Sequence, residues 1–247
     1  MLKHLTRSDW LHFLSLPEDR VPQVLLLRGT RNLRRNYERH AALLEDVLEV
    51  GSPNGLFEDL CVGRRGEVTV AYASVYGDAM ASEITHVFGV LGTRRVIQTG
   101  CCGALGDGIL PGDLICATSA GCGEGAAQYY TDASEVAASE ALVAQVADWA
   151  GPVSLHRGPI WTTSALLAEG REEIARWRSQ GYLAVDMETA STFAVAQHFG
   201  MERLSLLFAF DNPAAGDHIL LTDDAKTARR VQGERAMLDL ALDLLAR

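Results

Sequence analysis

Three features of the sequence predict an α/β fold, a single domain with a central mixed, largely parallel sheet flanked by helices. Short apolar runs alternate with longer stretches of helical periodicity along the 247 residues, the pattern of strands joined through helices. The run Leu204-Ser205-Leu206-Leu207-Phe208-Ala209-Phe210 is almost continuously apolar, as a strand covered on both faces must be. No fixed-period repeat, low-complexity tract or Pro/Gly/Ser-rich linker divides the chain, so residues 1–247 are expected to form one domain.

In chain order, strands are expected at 24–28, 67–75, 95–99, 114–118, 159–163, 183–186 and 204–210. Helices are expected at 79–91, 134–150, 171–179, 188–199 and 223–246. The last opens on Thr222, Asp223 and Asp224, which supply caps and early negative charge, and continues with spaced Ala, Val, Met and Leu. It is expected to pack across the sheet as a closing helix.

Composition limits the function. The chain is 48% hydrophobic and 22% charged, enough for a sizeable core. A formal net charge of -10 argues against broad binding to nucleic acid, while leaving room for a small anion in a local pocket. The opening MLKHLTRSDWLHFLSLPEDR lacks the apolar core of a signal peptide, and no apolar run is long enough to span a bilayer. A cytoplasmic protein without a membrane partner is therefore expected. Five cysteines, Cys61, Cys101, Cys102, Cys116 and Cys122, lack zinc-knuckle or CxxC spacing and are read as reduced and mostly buried. No His/Cys/Asp group has metal-ligand spacing, so neither a metal nor an organic cofactor is expected.

In sheets of this type ligands gather beyond the carboxyl ends of the strands. Four strand exits carry the chemistry: Gly29 onward, Gly100 to Gly103, Asp186 to Thr189, and Asp211 to Pro213. The exit Gln98-Thr99-Gly100-Cys101-Cys102-Gly103-Ala104-Leu105 combines glycines with small side chains, which suits close ligand approach and equally a structural turn. In Val185-Asp186-Met187-Glu188-Thr189-Ala190 a strand runs into carboxylates at a helix start. A carboxylate there can accept two hydroxyl hydrogen bonds from a cis-diol such as ribose, or can cap the helix. Met187 can form an apolar wall against the sugar. Asp211 follows a buried strand, where desolvation raises a carboxyl pKa and keeps a proton available for a departing base. An Asp opening a turn before Pro213 has the same appearance.

The order of these exits resembles the nucleoside phosphorylase and nucleosidase superfamily, which covers purine nucleoside phosphorylases, uridine phosphorylases and several nucleoside hydrolases. The resemblance runs over nearly the whole chain. It rests on LGTRRVIQTGCCGAL (91–105), the segment Leu110-Pro111-Gly112-Asp113-Leu114-Ile115, and VDMETAS (185–191). It implies that Met187 and Glu188 contact the ribose, with Glu188 holding its hydroxyls. Asp211 would protonate or hydrogen-bond N7 of a purine, and Val185 and Leu166 would flank the base. Lys3-His4-Leu5 is similar to the family's N-terminal histidine segment, which would bring His4 near the 5′ position of a neighbouring subunit's sugar. The same resemblance implies self-association, as a dimer or as a hexamer built from dimers.

The anion pocket departs from the phosphorylase pattern. It would comprise Gly29, Gln98, Gly100 and Cys101, yet the phosphorylases usually carry arginine at the position of Gln98 and serine or threonine at that of Cys101. Losing a guanidinium and a hydroxyl removes charge-assisted hydrogen bonds worth roughly 1.5–3 kcal/mol each. Two readings follow. Water replaces phosphate, or Arg28, Arg31, Arg34 and Arg35 rebuild the site so that inorganic phosphate remains the co-substrate. The arginine cluster also reads as a solvated helix start. The aromatic residue that often covers the base is absent: Leu166 lacks a π face, and Trp161 can point into the core. The expected function is cleavage of the N-glycosidic bond of a nucleoside, purine favoured, by phosphorolysis or hydrolysis. The alternative is a non-catalytic nucleoside-binding protein.

Overall fold

A computed structural model describes residues 2–245. Four parallel strands form its centre: β1 (Val24–Gly29), β4 (Val68–Val75), β5 (Arg95–Ala104) and β10 (Glu202–Asp211). β1 lies between β4 and β5, and β10 runs along the other side of β5. Alternate residues of β1 enter different cores. Val24 and Leu26 pack on one face of the sheet, Leu25 and Leu27 on the other. This two-sided burial is the reason the strand reads as an unbroken apolar run.

Beyond β10 come β6 (Leu114–Gly121), antiparallel to it, and then β8 (Leu155–Thr162), parallel to β6. The short β9 (Ala184–Asp186) pairs with β8 and, through Gly103 and Ala104, with the end of β5. Since β5 also pairs with β10, these five strands close into a ring. On the far side of β4, the antiparallel strands β3 (Leu60–Arg65) and β2 (Glu45–Glu49) extend the sheet as an open edge. The fold is the expected mixed sheet, with helices on both faces. Helices α1 (Arg7–Phe13), α3 (Asp78–Leu91) and α6 (Thr189–His198) contribute Trp10, Phe88 and Ala196 to one face. Helices α2 (Leu33–Ala41), α4 (Glu140–Gln145) and α7 (Asp224–Leu245) contribute Tyr37, Leu142 and Met237 to the other. Helix α5 (Arg171–Ser179) places Trp177 against Leu105 and Val185.

One expected helix is corrected. Residues 134–150 begin as strand β7 (Glu135–Ala137), paired with Ser119–Gly121 of β6, and only α4 is helical. Val136 is buried by this pairing, and edge pairing outweighs the helix propensity of an alanine-rich stretch. Helix α1 and strands β2 and β3 were not foreseen, whereas the solvated helix start read at the arginine cluster is α2, with Arg34 and Arg35 in its first turn. Helix α1 carries a capping box between Thr6 and Asp9, a legible start signal. Helix α7 starts as expected: the Asp223 carboxylate accepts the Lys226 backbone N–H at 2.7 Å. The expected final helical residue, Ala246, lies outside the described residues. No helix among the described residues is long and apolar enough to cross a membrane.

Candidate active site

A cavity of about 1240 Å³ opens beyond the carboxyl ends of β1, β5, β9 and β10, and α7 and the segment before α5 complete its walls. Met187, Glu188, Val185, Leu166, Asp211, Gly29 and Cys101 all line it. Seven residues read from several strand exits thus meet in one place, as parallel strands ending at one sheet edge require.

Glu188 is held from two sides. Its Oε1 accepts the Gly77 backbone N–H at 2.7 Å, and a Cβ on Gly29 would stand 2.7 Å from its Oε2. Gly29 therefore leaves the space that the carboxyl fills. Burial, followed by the nearby Asp186 charge, pushes Glu188 up to about 8. It is protonated in the ligand-free protein at neutral pH, and a protonated carboxyl donates to one hydroxyl while accepting from another.

Asp186 is the deeper partner. It accepts hydrogen bonds from Thr162 Oγ1 at 2.7 Å, the Thr189 backbone N–H at 3.0 Å, Gln98 Nε2 at 3.1 Å and the Thr189 hydroxyl. Burial raises its pKa, and these four donors oppose that shift by favouring its ionised form. Asp186 thus takes up the backbone N–H of Thr189, the first residue of α6, whose N-cap is Glu188.

Gln98 corrects the expected anion pocket. Its side chain is fully buried and does not line the cavity, because its amide is engaged by Asp186 and Thr189. A buried amide is retained where its donors are satisfied. Gly100 also lies below the cavity, against the Gly29 backbone and Leu207. Of the four residues assigned to that pocket, Gly29 and Cys101 reach it. The Cys101 thiol faces the cavity, and desolvation by the surrounding walls pushes it up to about 11, so it is a neutral thiol and not a thiolate nucleophile. His4 sits exposed in a short 3₁₀ turn, Leu2–His4, and does not line the cavity of its own chain.

Asp211, also in the cavity wall, is buried, and no hydrogen bond from another side chain reaches its carboxyl among the described residues. Burial pushes it up to about 6, reinforced by Asp217 and opposed by Lys226 and Arg230. Glu169 lies close enough to feel Asp211, and burial raises it to about 7. Its Oε1 is buried without a partner. Arg230 stacks on Phe210 at 3.7 Å from the ring centroid and donates Nε to the Phe210 carbonyl at 2.6 Å. Sequence reading missed Glu169, Arg230, Glu234 and Gly77 as cavity or site residues. Arg230 and Glu234, four apart on α7, carried a helical-face signal that was legible.

The four arginines of the expected cluster separate. Arg28 is buried in the cavity wall, paired with Glu234 at 2.6 Å. Arg31 stacks over Tyr76 at 4.7 Å and is exposed. Arg34 pairs with Glu38 and Asp59, and Arg35 is exposed. Trp161 packs into the core, 5.9 Å from Trp177 and 5.4 Å from Tyr182 between ring centroids. All five cysteines are free, and four are buried.

Residues 32–246 match the model of the Phosphorylase superfamily, and the chain belongs to that family. Over 244 residues it is 28% identical to a DeoD-type purine nucleoside phosphorylase of Myxococcus xanthus, covering 94% of this chain and 95% of the relative. A 132-residue stretch is 29% identical to a guanosine phosphorylase of Halorubrum lacusprofundi, spanning 51% of this chain and about half of that relative, 54%. Among solved structures, uridine phosphorylase from Vibrio fischeri superposes with a TM-score of 0.78 at 22% identity, over 94% of this chain and 95% of the other. At that identity the likeness concerns the fold.

Proposed function

We propose that the protein cleaves the N-glycosidic bond of a purine ribonucleoside or a close derivative. The observation that carries this reading is the convergence of Glu188, Met187 and Asp211 on one cavity whose two carboxyls are both raised by burial. Glu188 binds the ribose hydroxyls through a carboxyl fixed by Gly77 and given room by Gly29. Met187 packs on the sugar. Asp211, protonated below about 6 and freely facing the cavity, gives its proton to N7 as the bond to C1′ stretches. The transition state is oxocarbenium-like, and a sugar held against fixed hydrogen-bond partners needs little reorganisation to reach it. Leu166 and Val185 sandwich the base by dispersion.

Purine preference is supported by an acid at Asp211, which suits a base with a basic ring nitrogen next to the leaving position. Self-association as a dimer or hexamer belongs to the same reading, since the exposed His4 would then reach a neighbour's cavity.

The test is a panel of purine and pyrimidine ribonucleosides incubated with and without inorganic phosphate, with products separated chromatographically. At least one purine ribonucleoside is consumed faster than uridine. Uridine turnover about tenfold above every purine overturns the base assignment. Binding of nucleosides with no turnover of any would make the protein a nucleoside-binding protein instead.

A further inference from the structure

Helix α7 presents a stripe to the cavity, Thr227, Arg230, Val231 and Glu234, at the three- and four-residue spacing of one helical face. Glu234 is the acidic member of the stripe. Its Oε1 accepts Arg28 Nη2 at 2.6 Å, and its Oε2 lies 3.7 Å from Arg39 Nη1. Arg28 is fixed from several sides. Its side chain is 4% exposed, Nη1 lies 3.7 Å from Met237 Sδ, and the guanidinium sits 5.7 Å from the Phe208 ring centroid. Its Nε is buried without a partner. The Arg28 charge acts on both the Cys101 thiol and the Glu188 carboxyl, and the Glu234 charge also acts on Cys101. The ion pair therefore lies between the end of β5 and the end at which Glu188 is proposed to hold the sugar.

This arrangement discriminates between nucleophiles. The buried cation on this side of the cavity already has an internal carboxylate as its partner. A phosphate dianion would have to displace Glu234 or sit beside it, with Cys101 supplying a neutral thiol and Gln98 turned away. Like charges in a partly desolvated site repel strongly. Water meets no such penalty, and the Glu234 carboxylate offers it an acceptor.

We infer that Glu234, oriented by Arg28, holds and deprotonates the water that attacks C1′, so that the protein is a nucleoside hydrolase rather than a phosphorylase. The inference rests on the glycosidic-bond reading above. As the water oxygen bonds to C1′, the C1′–N bond breaks and its electron pair leaves with the base. The proton of Asp211 goes to the base, and a proton of the water goes to Glu234. After the free sugar and the base depart, solvent carries the proton from Glu234 back to Asp211. No oxidant or further reactant enters.

The experiment uses the whole chain and a purine ribonucleoside, with and without inorganic phosphate, and identifies the sugar product. Wild type releases free ribose under both conditions, at a rate phosphate leaves unchanged. Glu234→Gln lowers kcat by about 10²- to 10⁴-fold, while the affinity for an uncleavable C-nucleoside stays close to wild type; its unfolding temperature falls, because the buried Arg28 loses its charged partner. In Glu234→Ala, formate or azide restores part of the lost rate by supplying the missing base. Stoichiometric ribose 1-phosphate from the wild type overturns the inference and identifies another cation, Arg31 foremost, as the phosphate holder. Cleavage by Glu234→Gln at the wild-type rate overturns it equally, and both outcomes leave the glycosidic-bond reading standing. A wild type that binds the C-nucleoside and cleaves nothing defeats both readings.

Discussion

Gly29 and Gly233 are both positions where an added Cβ would collide, and the atom it would meet separates two regions of the molecule. At Gly29 that atom is Glu188 Oε2, 2.7 Å away, the end of a side chain proposed to bind substrate. At Gly233 it is the Gly112 backbone oxygen at 2.1 Å, where α7 crosses the turn of residues 110–113. Arg229 clamps the same crossing, donating to the Pro111 carbonyl at 2.8 Å and to Asp113 at 2.9 Å. Gly112 itself has φ of +89°, where glycine is favoured. The PGDL string thus serves as an anchor for α7, and Gly29 serves as clearance inside the cavity. A glycine motif reports close approach, and only the neighbouring atom tells whether the approach is structural or chemical.

That contrast can be broken at either end. The largest effect is expected for Glu188→Gln and Gly29→Ala, each lowering kcat/KM by about 10²-fold or more while circular dichroism remains native. Loss of folding in Gly29→Ala, rather than loss of activity, would place Gly29 with the anchors. Asp211→Asn is expected to cost about 10²-fold in kcat/KM. In wild type kcat/KM should fall as pH rises through about 6, because the free enzyme loses the Asp211 proton. The Asn variant should lack that limb. Its persistence in the variant would assign it to another group.

Gly233→Ala sharpens the other side. Backbone must move, so denaturant unfolding should show a loss of roughly 1–3 kcal/mol, typical of overpacking. An unchanged midpoint would mean that α7 is not anchored there.

A separate effect concerns stability against pH. Glu188 is raised from its ordinary value to about 8, so between the unfolded and folded pKa values the native state binds the extra proton. Its contribution is intact below the unfolded value and is lost as pH rises toward 8. Glu169 and Asp211, raised to about 7 and about 6, act in the same direction. The unfolding temperature should therefore decline from pH 5 to pH 8, and Glu188→Gln should flatten the decline. A rise over that range in wild type would contradict the burial of these carboxyls.

The sheet and two of the cavity's carboxyls were legible in the sequence for a shared reason. A strand buried on both faces is continuously apolar, and a carboxylate directly after it has few places to go but the strand exit. Glu188 and Asp211 were found that way. The ion-paired wall was not. Arg28 looked like one of four arginines, and Glu234 like one of many charges on a long helix, because the contact between them joins residues 206 positions apart. Gln98 was misplaced for a related reason. Strand position fixes the side of the sheet, but the partners Asp186 and Thr189 that turn its amide away come from the β9–α6 junction. The stretch 134–150 failed because pairing with β6, a long-range event, decided its first residues.

The central claim is that one cavity holds a nucleoside with its sugar at Glu188 and its base at Asp211. A crystal structure with an uncleavable purine C-nucleoside tests it most directly. The account predicts both ribose hydroxyls within hydrogen-bond distance of the Glu188 carboxyl, Met187 against the sugar, and the N7 edge of the base facing Asp211 between Leu166 and Val185. A nucleoside bound in the reverse orientation, or bound outside this cavity at saturating concentration, would contradict it.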